Sequence, residues 1–396
     1  MALQENTRAP GARHIAWARH EPRADGGTLD NLTHGLVGAA IGKGGAERAT
    51  PLATATLVLA ANAPDVDVFS YTQGEYFALS FRRGITHGWP ALIVLPFVVT
   101  GAMLLWDRWV RRRREPSAEP ARPRALLALS AVGLLTHPTL DWMNTYGMRW
   151  GLPLDGTWSY GDSLFIIDPW IWLVLGGAAY LCSAPQGWGR AGWVLLVALT
   201  SLVVLSFPLG TPAKAIWIGG LVTVAALRLR HGSRGPRFAQ GALAVACLYV
   251  VAMMTSDHMS RGLVRQAAET SGLQVRDIMV GPAPANPFAA EVEVTTDTGF
   301  VPGTFDWFRD PRVELYPLEE VPLLAGPPGV AHSDLERIAA RARLEPDVAR
   351  YLVWSRYPYV SIEAEGTSWW VQVSDARYDG RAGSGGLSGL RVRIQD

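Results

Sequence analysis

Six side chains in the first half of the chain combine residue type and spacing in a way that suits metal chemistry: His34, Asp65, Asp67, His87, His137 and Asp141. They stand in Thr33-His34-Gly35, Ala63-Pro64-Asp65-Val66-Asp67, Gly84-Ile85-Thr86-His87 and Thr136-His137-Pro138-Thr139-Leu140-Asp141. Imidazoles and carboxylates together suit Zn²⁺, with Mn²⁺ and Fe²⁺ as alternatives. His137 and Asp141 are four residues apart, so on a helix they share one face. Asp65 and Asp67 straddle one residue after a proline, so a turn can aim both inward or let one bridge two ions. All six lie inside or beside apolar runs, where ionisable groups are costly and usually functional. Singly, each has a plainer reading. An Asp at a helix end is commonly a cap, a lone His is commonly a satisfied core residue, and His137 with Asp141 can be an internal ion pair. Together they predict a site for one or two divalent metals.

The elements that must position these residues read as membrane helices. Of 396 residues, 49% are hydrophobic and 18% charged, against roughly a quarter charged in soluble domains. The net charge of +1 makes no electrostatic case for a nucleic-acid partner. Apolar runs at 89–110, 124–146, 163–181, 190–207, 211–229 and 238–256 approach the ~20 residues a spanning helix needs. Two shorter runs, 31–42 and 50–63, predict re-entrant or half-buried helices inside the bundle. Cys182 and Cys247 sit in apolar runs and read as small hydrophobes, which leaves no cysteine-based zinc site. Residues 1–28 hold no apolar core and are no signal peptide. They read as an N-terminal extension, either disordered or upstream of a true start at Leu29.

From residue 257 the texture changes. Alternating stretches at Glu291–Thr296, Tyr359–Glu365 and Trp369–Ser374 predict strands. Ser333 with Glu336 has the pattern of a capping box opening a helix to about Leu344. The fold class expected is mainly α: a polytopic helical membrane bundle over 29–256 with a soluble α+β domain over 257–396.

Arginines set the expected orientation. The loops 111–124 and 228–237 are Arg-rich and separated by four spans, so both lie in the cytoplasm and the tail domain lies outside it. If the two short runs form an out–in–out hairpin, the ends carrying His34, Asp65, Asp67, His87 and Asp141 meet at the outer face, with His137 a turn deeper. Arg8, Arg13, Arg19 and Arg23 run against this scheme, and a start at Leu29 would remove them.

Other polar residues carry weaker signals. Asn144, Thr145 and Tyr146 follow Asp141 closely and suit ligand contacts. Asp162 reads as a proton shuttle, and Asp168, just before a proline, as a helix start. Trp89, Trp142, Trp150, Trp158 and Trp170 fit an interfacial belt. Arg111–Arg114 fits a topology determinant. Asp257 and His258 read as surface.

The strings Asp30-Asn31-Leu32-Thr33-His34-Gly35, Pro64-Asp65-Val66-Asp67, Arg83-Gly84-Ile85-Thr86-His87, His137 to Asp141 with Asn144-Thr145-Tyr146-Gly147, and Tyr160 to Trp170 resemble the YdjM-type inner-membrane metal-dependent hydrolases. The likeness covers roughly residues 30–180. That family is grouped with zinc-dependent phospholipase C and P1 nuclease, which implies a helical metal site, phosphoester chemistry and the bacterial inner membrane. Two positions depart from its pattern. Arg82 replaces a His before the Arg-Gly pair, and Gly88 replaces a Ser.

The expected function is metal-dependent hydrolysis of an ester or phosphoester in a membrane lipid or lipid-linked substrate. His34, Asp65, Asp67, His87, His137 and Asp141 would bind metal. Asp67 and Asp162 would move protons, and Arg82, Arg83, Asn144 and Tyr146 would contact substrate. The tail would cover the site, select the substrate or bind an envelope protein. The alternative is a non-catalytic, metal-stabilised membrane scaffold. Transport ranks last, because the ionisable groups cluster at one end of the bundle.

Overall fold

Two glycines set how closely the first helices approach. In a computed structural model, which describes residues 26–378 and 386–395, α1 (Gly26–Lys43) and α2 (Ala53–Ala60) form a hairpin. A Cβ added at Gly38 would come within 2.8 Å of the Leu57 backbone, and one at Gly133 would also come within 2.8 Å of it. Both positions need glycine so that α1 and α5 (Pro123–Trp142) can straddle α2 at backbone contact. His34 and His137 each stand four residues from one of these glycines. The expectation for residues 1–28 lies outside the described residues, apart from 26–28, which begin α1.

A 3-10 stretch (Ala63–Gln73) and α3 (Glu75–Phe81) lead from α2 to α4 (Trp89–Arg114). After α5 come α6 (Pro169–Leu181), α7 (Trp188–Ser206), α8 (Thr211–His231) and α9 (Pro236–Thr270). Among the described residues four helices, α4, α7, α8 and α9, are long and apolar enough to cross a membrane. Their outward faces carry exposed side chains such as Leu199, Val222 and Leu248. The helix α5 has the length, but His137, Pro138 and Asp141 lower its hydropathy.

Two expected spans need correction. The run 163–181 is not one helix, because residues up to 168 are irregular. Asp168 caps α6 by accepting from the Trp170 and Ile171 amides at 2.9 and 3.1 Å, and Pro169 fixes the first turn. What remains is too short to count as a span. The run 124–146 stops at Trp142, and the chain then turns through Gly147 at positive φ.

The turns sort by charge. Gln240 bonds the Gly44 carbonyl, the Arg122 amide bonds Thr50, and Arg228 bonds the Ser183 carbonyl. These contacts gather the α1–α2, α4–α5, α6–α7 and α8–α9 turns at one Arg-rich end. The starts of α1 and α4 and the ends of α2 and α5 lie at the other, so the short hairpin has the expected out-and-back course.

The helix α9 continues unbroken past residue 257 and buries Val264 and Ala268 against a β-rich C-terminal region. There β1 (Asp277–Ala283), β2 (Asn286–Thr295) and β3 (Gly299–Asp306) form an antiparallel meander, with β4 (Val313–Leu315) and β5 (Val321–Pro322) both paired to β3. A second sheet orders β6 (Leu324–Ala325), β7 (Pro358–Glu365), β8 (Ser368–Asp375) and β9 (Leu390–Gln395). Helices α10 (His332–Ala342) and α11 (Pro346–Trp354) cover it through Ile338, Val348 and Trp354. The expected strands fall on β2, β7 and β8. The capping box does not form, because α10 starts at His332 and places Ser333 inside the first turn, with Ala331 at the N-cap.

Candidate metal centre

The glycine-spaced helices bring the imidazoles of α1 and α5 together. The His34 and His137 rings stack with centroids 3.8 Å apart. His137 Nδ1 lies 2.6 Å from the Ala61 carbonyl oxygen at the end of α2. A carbonyl only accepts, so Nδ1 carries the proton and Nε2 presents its lone pair. His87 sits in the turn before α4, with Nδ1 at 2.9 Å from Thr86 Oγ1 and 3.3 Å from Asp67 Oδ2. The carboxylate fixes the same tautomer there.

The two Nε2 atoms stand 3.1 Å apart. Asp141 Oδ2 lies 3.2 Å from His87 Nε2 and 3.4 Å from His137 Nε2. A tetrahedral ion with bonds of about 2.0–2.1 Å places its ligand atoms roughly 3.3–3.4 Å apart. These three atoms therefore outline one face of such a site. Asp65 Oδ1 completes it at 3.6 Å from His87 and 3.7 Å from His137. Two overlapping triads, His34–Asp65–His137 and His87–His137–Asp141, bring ligand atoms within 4.8 Å of one another. Both need the single lone pair of His137, which favours one ion rather than two.

The charge balance agrees. Three carboxylates, Asp65, Asp67 and Asp141, face two guanidiniums, Arg82 and Arg83, which leaves one negative charge when the imidazoles are neutral. All three histidines are fully buried. Burial opposes a charged ring at His87, yet bonds from Asp141 and Asp65 and the charge of Asp67 push its pKa up to about 9. The centre is built to receive positive charge.

The remaining expected residues have distinct places. Asp67 orients rather than ligates. It accepts from the Arg83 amide and the Thr86 hydroxyl at 3.0 Å each, and from Arg82 Nε at 3.3 Å. His34 Nε2 is 3.3 Å from Asp141 Oδ1, which Arg83 also engages at 3.0 Å. Arg82 spans Asp65 and Asp67, so its guanidinium is committed to the protein's own carboxylates. Asn144 accepts from Arg83 at 2.8 Å. Tyr146 stacks under the same guanidinium at 4.7 Å and reaches Trp354 of the C-terminal region.

Asp162 is not in this cluster. It is locked between Arg261 of α9 at 2.7 Å and Arg356 at 2.9 Å. A carboxylate held by two guanidiniums makes a joint, not a proton shuttle. Asp257, expected on the surface, is half-buried and holds Arg261 at 3.0 Å, while His258 is exposed. A second joint is Asp375, fully buried, which accepts from Arg377, Ser355 and the Arg356 and Tyr357 amides. Arg377 then donates to the Thr145 carbonyl at 2.7 Å, four residues beyond Asp141. The C-terminal region thus docks beside the His/Asp end of the bundle. Asn31, which holds Asp65 Oδ2 at 2.6 Å, stood in the Asp30–Gly35 string but was given no role of its own.

The fold and centre define a membrane protein with a buried His/Asp site able to hold a metal ion. The family model described as "YdjM inner membrane protein" matches residues 29–209, so that part of the chain is similar to this family. No curated protein and no solved structure matches the chain.

Proposed function

We propose that the chain is a membrane-bound metal-dependent hydrolase, acting on an ester or phosphoester in a lipid or lipid-linked substrate. The observation that carries this reading is the convergence of the His87 and His137 lone pairs with Asp141 and Asp65, at the edge lengths of a tetrahedral site. When bound, a divalent metal such as zinc supplies polarisation of the scissile bond and a lowered pKa, toward ~7, for attacking water. Asp65 has the longest edges in the set and is the most open of the three carboxylates, so it would be the group that gives way to water or substrate and takes up a proton. Asp67 holds the His87 tautomer. Arg83 steadies Asp141, and Arg82 competes with the metal for Asp65.

Lipid is the favoured substrate because the ligand-bearing segments turn apolar side chains outward. Val66, Phe69, Ile85 and Trp89 are all exposed beside Asp65, Asp67 and His87. The Arg-rich end would face the cytoplasm, and the centre and the C-terminal region would then lie on the other side of the inner membrane. There residues 257–396 would cover the site or meet an envelope protein.

A non-catalytic scaffold is favoured by one observation. Four protein ligands, two of them fully buried histidines, resemble a closed structural site. The deciding experiment incubates purified, metal-loaded protein with a panel of phospholipids and lipid-linked phosphoesters and follows products by mass spectrometry. Turnover lost in both Asp65→Asn and His87→Ala supports the enzyme. No product from metal-bound wild type across the panel moves the scaffold to first place.

A further inference from the structure

At the Arg-rich end of the bundle, opposite the His/Asp centre, an open groove of about 710 Å³ separates the α1–α2 turn from the α8–α9 turn. Its walls are Arg48 on one side and Arg234, Arg237 and Phe238 on the other, with Gln240 joining them through its bond to the Gly44 carbonyl. No carboxylate lines it. Glu47, next to Arg48, is held by Lys43 at 2.8 Å. Among the described residues the guanidiniums of Arg48, Arg234 and Arg237 have no carboxylate partner, and Arg234 Nε is buried without an acceptor. Arg228 nearby is different, since the Leu181 and Ser183 carbonyls satisfy it. The helix α9 also begins here, at Gly235 and Pro236, with no side-chain cap. Its positive dipole end therefore opens on the groove.

Three guanidiniums without counter-ions, Arg234 partly buried and Arg48 and Arg237 exposed, in a space within the usual range of ligand sites, call for an anion. We propose that this groove binds a phosphate-bearing anion supplied by the headgroup of an anionic glycerophospholipid. The groove lies where the helices end, at headgroup level, and Phe238 on its wall suits the start of an acyl chain. Three guanidiniums match a lipid with two phosphates, such as cardiolipin, better than one with a single phosphate. The site is independent of the hydrolase reading, because no groove residue belongs to the metal centre.

The test uses delipidated full-length protein in nanodiscs of phosphatidylcholine alone or doped with cardiolipin, with thermal unfolding and native mass spectrometry as readouts. Cardiolipin should raise the unfolding temperature of wild type and stay bound. The triple variant Arg48→Gln/Arg234→Gln/Arg237→Gln should weaken half-saturation on the order of tenfold or more. Arg237→Gln alone, at an exposed position, should show a smaller loss in a protein that still folds, and Arg343→Gln on the C-terminal region should bind as wild type. Inorganic phosphate that reproduces the stabilisation and displaces cardiolipin would identify a site for free phosphate as well as lipid. A stabilisation confined to cardiolipin would assign the lipid as sole source. Equal binding by wild type and both groove variants, or no preference for cardiolipin over phosphatidylcholine, overturns the proposal.

Discussion

His87 and His137 face each other through their Nε2 atoms at 3.1 Å, while each Nδ1 is turned to an oxygen behind it. Two neutral imidazoles in these tautomers would point lone pairs at one spot, an arrangement that calls for a proton on His87 or a metal ion between them. Elemental analysis of purified protein should therefore find on the order of one equivalent of a divalent transition metal. His87→Ala with His137→Ala should lose it. A wild type that stays metal-free after reconstitution would reduce the cluster to an internal ion-pair network.

Arg82 should compete with that metal. Its guanidinium bridges Asp65 and Asp67, so Arg82→Gln leaves two buried carboxylates without it. Breaking a buried pair costs about 3–5 kcal/mol, and the metal-free variant should melt well below wild type. Added Zn²⁺ should stabilise the variant more than wild type, because a competing cation is gone. Equal Zn²⁺ stabilisation of both proteins would show that Arg82 and the ion do not share Asp65.

Asp162→Asn separates the joint from the centre. Loss of its pairing to Arg261 and Arg356 should loosen the C-terminal region and speed its proteolysis, with metal content unchanged. A loss of metal at equal folding would return Asp162 to the site.

Acid should act on the second joint. Burial pushes the Asp375 carboxyl up, but Arg377, Ser355 and the Tyr357 amide outweigh it and hold it below the usual carboxylate range. A depressed folded pKa stabilises above the unfolded value of about 3.9 and is lost as pH falls through the folded one. Wild-type unfolding temperature should thus drop as pH falls below about 4. Asp375→Asn should be less stable at pH 7, by about 3–5 kcal/mol, with a flatter acid limb. An unchanged acid limb would show that Asp375 does not carry that dependence.

The sequence made the ligand types legible because charged groups stand out against apolar runs. His34, Asp65, His87, His137 and Asp141 do converge, at one end, through the hairpin that the short runs implied. What it hid were roles decided by a few tenths of an ångström. The division of Asp65 from Asp67, and the tautomer fixed by the Ala61 carbonyl, depend on backbone atoms that no pattern reports. The run 163–181 misled because apolar content does not register where a cap forms. Arg356 and Arg377 were invisible as partners of the bundle, since each meets it across a sequence separation of roughly two hundred residues.

At 35 residues, α9 is about 52 Å long, well beyond the ~30 Å of a bilayer core. The excess makes it a rigid mast. With one end pinned beside the basic groove and the other embedded in the first sheet, the helix fixes how high the C-terminal region rides above the lipid and which way it faces. One residue added to the mast below Arg261 would swing that region by about 100° and carry Arg261 off Asp162, so its length is part of the address by which the two halves find each other.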